Sequence, residues 1–115
     1  TFGVQVTDRD GAKIFHLTGR LMDQQQADRL MKVLDENLSG KEGVNVVLDM
    51  GGLVYMNSTG LNIMINVLTR TRKLGGQILL AAVSHGVKQL FTVTKLDTLF
   101  PIVDSVDLAI AKLSH

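Results

Sequence analysis

The 115 residues contain no cysteine and no tryptophan, only one proline, and aromatic side chains at just 4%. Without thiols there can be no disulfide framework, no thiolate metal site and no cysteine nucleophile, and the composition suits a reducing compartment, so a cytoplasmic setting is the expectation. Charge of one sign is lacking as well. Twelve basic residues stand against 11 acidic ones for a net charge of +1, and the basic residues are scattered, so direct nucleic-acid binding is not expected. No apolar run approaches the roughly 20 residues of a membrane-spanning helix. Thr1 to Arg9 has no basic segment followed by an apolar one. Neither membrane insertion nor secretion is expected.

What is there is ordinary for a globular chain: 45% hydrophobic and 20% charged residues, enough for one core and one domain spanning residues 1–115. Val4 and Val6 alternate with Gln5 and Thr7, and Lys13 to Thr18 is a second β-favouring run beyond Asp8, Arg9, Asp10 and Gly11. The pair reads as an opening hairpin. From Asp23 the period changes, with Ala27, Leu30, Met31, Leu34 and Leu38 on one helical face. Asp23 followed three residues on by Gln26 has the pattern of a capping box, which predicts a helix over Gln24 to Leu38, stopped by Gly40.

Val44 to Met50 is nearly continuous apolar and β-branched, as a central strand requires. A short loop containing Gly51 and Gly52 is expected next, then a second helix from Ser58, with Leu61, Met64, Ile65 and Leu68 at helical spacing, ending before Gly75 and Gly76. Gln77 to Val83 reads as a strand, and Ser84 caps a third helix with Val87, Leu90 and Phe91 on its apolar face. Phe100 to Val103, around Pro101, reads as an edge strand, and Val106, Leu108, Ala109 and Leu113 close the chain helically. Alternating strands and helices with short connections predict an α/β fold: a mostly parallel central sheet with an N-terminal antiparallel hairpin and about four helices. The strand-to-helix turns then line one end of the sheet, where such folds place their binding sites.

The turn Tyr55-Met56-Asn57-Ser58-Thr59-Gly60-Leu61 puts small polar residues at the start of a helix directly after a strand. A hydroxyl there has two uses: it can cap the helix by accepting a backbone N–H, or it can be esterified where the helix field tolerates negative charge. The residues alone favour the cap. Phosphorylation would add about −1.5 to −2 charges and three strong acceptors, enough to expel a closely packed partner. Elsewhere the chemistry is thin. His16, His85 and His115 have no metal-ligand spacing, Asp49 has no positioned nucleophile beside it, and the glycine pairs lack the lysine and spacing of a phosphate loop. Catalysis by this chain, a metal and a bound cofactor are not expected. The methionines read as core filling, with Met22 and Ile63 a candidate apolar rim beside Ser58.

Asn57-Ser58-Thr59-Gly60-Leu61 resembles the Asp-Ser-Ser/Thr-Gly-Leu signature of STAS domains, within them the bacterial anti-sigma-factor antagonists. Leu17-Thr18-Gly19-Arg20-Leu21, Val46 to Leu48 with Asp49, Gly75-Gly76 and Val87-Lys88-Gln89-Leu90-Phe91 extend the likeness over nearly the whole chain. The resemblance implies partner switching. The unphosphorylated antagonist binds an anti-sigma factor serine kinase and frees a sigma factor, the kinase phosphorylates the antagonist's serine with ATP, and a PP2C-type phosphatase restores it. Ser58 matches that serine, and Arg20, Met22, Asp23, Asn57, Thr59, Gly60, Asn62 and Ile63 are the expected partner-binding residues around it. The chain departs from the pattern at three places. Asn57 and Met22 stand where aspartate is common, and Lys95-Leu96 replaces a frequent Gly-Leu. Asp23, one position after Met22, reads as the helix cap. The two aspartate departures suit a different role, a non-phosphorylated accessory subunit docking on a transporter or signalling complex.

Overall fold

The structure, a computed structural model, describes residues 2–113; His115 lies outside them. Strands β1 (Phe2–Arg9) and β2 (Ala12–Leu21) form the expected hairpin. Asp10 and Gly11 between them both have positive φ, 52° and 84°, the backbone of the two-residue turns whose twist matches paired strands. Helix α1 covers Gln24–Leu38, and both halves of its capping box are present. The Asp23 carboxylate accepts the Gln26 N–H at 2.8 Å, and the Gln26 side-chain oxygen accepts the Asp23 N–H at 3.3 Å. Its buried residues, Ala27, Leu30, Leu34 and Leu38, belong to the expected apolar stripe, while the fifth member, Met31, is only half-buried against the core.

Strands β3 (Asn45–Met56), β4 (Ile78–Ala81) and β5 (Ile102–Val103) follow, separated by helices α2 (Ser58–Lys73) and α3 (His85–Val93), and helix α4 (Val106–Leu113) comes last. The sheet runs β1-β2-β3-β4-β5, with β2 to β5 parallel and β1 antiparallel at one edge. Because each crossover moves one strand in the same direction, a constant hand of connection puts α1, α2 and α3 on one face. There they meet Phe15, Leu17, Val46, Leu48, Met50, Ile78 and Leu80. The alternate residues Ala12, Ile14, Val47, Leu79 and Ala81 point the other way, to a smaller core closed by Ala109 and Ile110 of α4. Burial on both faces is why Val46, Val47, Leu48 and Met50 make a nearly continuous apolar run, interrupted at Asp49.

Several boundaries differ from expectation. Gly51 and Gly52 are not a loop: β3 continues through them to Met56, paired with the end of β2. Between His16↔Asp49 and Thr18↔Gly52, β2 advances two residues and β3 three; between Gly19↔Leu53 and Arg20↔Tyr55, β2 advances one and β3 two. Two bulges therefore carry the extra residues. A Cβ on Gly52 would stand 2.8 Å from Thr18 Cγ2 and 3.0 Å from the Leu17 carbonyl oxygen, so the glycine serves close strand approach and not a turn.

Strand β4 is shorter than Gln77 to Val83, ending where Ala82 turns to φ +58°. Only Ile102–Val103 of the Phe100 to Val103 run is strand. Phe100 instead enters the core, its ring edge-on to Phe91 at 5.6 Å, and the Pro101 carbonyl accepts the Leu80 N–H. Lys95 has φ +61°, a conformation glycine adopts at no steric cost; that is the physical sense of a Gly-Leu pair at this place.

Candidate partner-docking site

Leu21 and Met56 are register partners at the ends of β2 and β3, so the turns that follow them lie side by side. One is Met22–Asp23, entering α1; the other is Asn57–Ser58, entering α2. At this carboxyl end of the sheet Arg20, Met22, Asp23, Ser58 and Asn62 are exposed, and Asn57 and Thr59 are half-buried. The positive end of α2 opens here too.

Ser58 is the first residue of α2, but its hydroxyl is not the cap that the residues alone favoured. Asn57 is the cap: with extended backbone, φ −112° and ψ −165°, its side-chain oxygen accepts the Gly60 N–H at 3.2 Å. Both residue types are good caps, and the backbone of position 57 decides between them. The Ser58 hydroxyl makes no hydrogen bond among the described residues and stands in the open.

Gly60 is buried, and a Cβ there would lie 2.6 Å from Met56 Cγ and 2.7 Å from the Leu21 carbonyl oxygen. Its part is to let α2 start tight against the ends of β2 and β3. Ile63 does not join Met22 in a rim: it is 4% exposed, on the inner face of α2 within the main core. Met22, at 37%, is exposed.

The apolar surface beside Ser58 comes from elsewhere. Val54, the extra residue of the second bulge, and Tyr55 just beyond it are 66% and 49% exposed. With Gly86, Val87 and Leu90 of α3 they border a groove of about 490 Å³ that has Ser58 at its rim. Sequence reasoning missed these residues. The signal for them was Leu53-Val54-Tyr55, a β-branched and aromatic run following the two glycines.

A second polar cluster lies on the opposite face of the sheet. Asp49 Oδ2 and His16 Nδ1 are 2.7 Å apart, His16 Nε2 is 2.9 Å from Thr7 Oγ1, and Asp49 Oδ1 accepts the Gly51 N–H at 3.0 Å. The chain ties β1, β2 and β3 together laterally. No group of histidines and carboxylates among the described residues could hold a metal ion. His85 is exposed at the start of α3, apart from His16. No helix among the described residues is long and apolar enough to cross a membrane.

Residues 3–109 match the STAS domain family. This chain belongs to that family. Among its relatives, BtrV of Bordetella bronchiseptica, described as an anti-sigma factor antagonist, is 29% identical over 89% of this chain and 86% of its own length. An anti-sigma F factor antagonist of Paenibacillus polymyxa is 24% identical over 96% of this chain and 93% of its own. Two solved structures share the fold. The anti-sigma factor antagonist SpoIIAA in its unphosphorylated form superposes with a TM-score of 0.78 at 17% identity, covering 97% of this chain and 96% of that one. The murine Slc26a9 anion transporter gives 0.79 at 16% identity, covering 94% of this chain and 18% of the transporter. The STAS fold thus occurs both as nearly a whole chain and as a part of a much longer one.

Proposed function

We propose that this STAS domain is an anti-sigma-factor antagonist that works by partner switching. Unphosphorylated, it docks on an anti-sigma factor serine kinase through the end of the sheet where Arg20, Met22, Asp23, Thr59 and Asn62 surround Ser58, with apolar side chains of the kinase resting in the groove of Val54, Tyr55 and Leu90. The kinase transfers the γ-phosphoryl group of ATP to the Ser58 oxygen; ADP leaves, and the hydroxyl proton passes to solvent or to a kinase base. The dianion then stands at the rim of an apolar groove, where docking would strip its water, and the complex separates. A PP2C-type phosphatase hydrolyses the ester and resets the switch. No chemistry is asked of this chain beyond presenting a hydroxyl.

The observation that carries the reading is the position of Ser58: exposed at the first turn of α2, free of the capping role, and beside an apolar groove. The experiment is incubation of the chain with ATP and a candidate kinase, read by intact mass and peptide mapping. One phosphoryl group on Ser58 is expected, none on Ser58→Ala, and weaker kinase binding by Ser58→Asp. Labelling at any other residue sinks the reading.

A second reading, a non-phosphorylated accessory subunit on a transporter or signalling complex, is favoured by Asn57 and Met22 standing in place of aspartates and by the likeness to a transporter segment. It expects stable capture of a partner that Ser58→Asp does not release.

A further inference from the structure

The carboxamide of Asn57 is used at both ends. While Oδ1 caps α2 through the Gly60 N–H, Nδ2 donates to the Met22 carbonyl oxygen at 2.9 Å. Only one orientation of the amide serves both, since a flip would set its NH2 against the Gly60 N–H and its oxygen against the Met22 carbonyl. The Met22 N–H in turn donates to the Gln26 side-chain oxygen at 2.8 Å, the same oxygen that accepts the Asp23 N–H. A chain of hydrogen bonds therefore runs from the first turn of α2, through Asn57 and the backbone of Met22, to the first turn of α1.

We infer that Asn57 is a positioning residue that fastens the Met22–Asp23 turn to the serine turn, so that the two are presented as one surface and a disturbance at Ser58 reaches Met22. What that surface is for rests on the partner-switching reading; the fastening does not. An aspartate at position 57 would keep the cap but has only acceptors to offer, and it would set a carboxylate against the Met22 carbonyl. A serine would also keep the cap, without charge, and is too short to reach Met22. The amide is the group that does both jobs, which gives the departure at this position a physical meaning.

Hydrogen exchange on the free chain tests this. In both Asn57→Asp and Asn57→Ser, residues 21–26 should exchange about three- to tenfold faster, the scale of one net hydrogen bond, while the start of α2 around Gly60 keeps its rate. Asn57→Ala should loosen both. If neither capped variant speeds residues 21–26, the tie holds nothing and the inference fails. If only Asn57→Asp does, carboxylate repulsion is the cause and it fails equally.

Transmission needs its own readout. Ser58→Asp should alter exchange of residues 21–26 in the Asn57 chain and leave it unaltered in the Asn57→Ser chain; equal changes in both backgrounds overturn the coupling. No kinase enters these measurements, so their failure leaves the switching reading standing, and an absent phosphorylation of Ser58 leaves the fastening standing.

Discussion

The two halves of β3 share one strand and have opposite surroundings. Val46 to Leu48 and Met50 are fully buried between two layers of helix, while Val54, in the second bulge, and Tyr55, just after it, look outward. In the second half Leu53 and Met56 still reach the core, but residues of similar chemistry, Val54 and Tyr55, form an apolar surface, and the bulges at Gly51 and at Val54 mark the change. Side-chain type alone does not separate core from exposed apolar surface. What separates them is whether helices cover both faces of the strand at that point.

That contrast can be broken by mutation, and the largest effect belongs to the first half. Leu48→Ala, at a position with no exposure, is expected to destabilise by about 2–5 kcal/mol in chemical denaturation, with little direct effect on docking. Gly52→Ala, at the change-over, should cost about 1–3 kcal/mol, because the new methyl must displace Thr18 or the Leu17 carbonyl. A stability unchanged by that methyl would mean the two strands can separate there freely. Smallest in stability is Tyr55→Ala, within about 0.5 kcal/mol of the native chain. Its effect should appear in binding instead, as at least about a tenfold weaker kinase complex by titration calorimetry if the ring is an anchor. A Tyr55→Ala chain that unfolds easily yet binds normally would reverse the comparison.

Much of the fold was legible because it is locally written. Asp23 and Gln26 mark the start of α1 by a reciprocal hydrogen-bond pattern, and Ala27, Leu30, Leu34 and Leu38 declare its inner face. The end of β3 was not legible. Gly51-Gly52 has the composition of a turn, and only the long-range pairing of Thr18 to Leu21 with Gly52 to Met56 keeps it extended. The cap of α2 was ambiguous for a similar reason: Asn57 and Ser58 are neighbouring good caps, and one residue of backbone conformation chooses. Ile63 is no rim residue because the inner face of α2 differs from the expected stripe of Leu61, Met64, Ile65 and Leu68: it takes in Gly60, Ile63, Val67 and Thr71 and leaves Ile65 half-exposed. The α3 side of the groove was legible as a helix face but not as part of this site, since Gly86 and Leu90 come to Ser58 only through the order of strands in the sheet.

Among the described residues, α4 is the helix that covers the second face of the sheet, over β3, β4 and β5. Shortening the chain before Val106 would uncover Ile14, Val47, Leu79 and Ala81 as a contiguous apolar panel on the sheet, a surface prone to self-association. The last eight-residue helix therefore acts as a guard on solubility, and a fusion or truncation at this end should be judged first by whether the product aggregates.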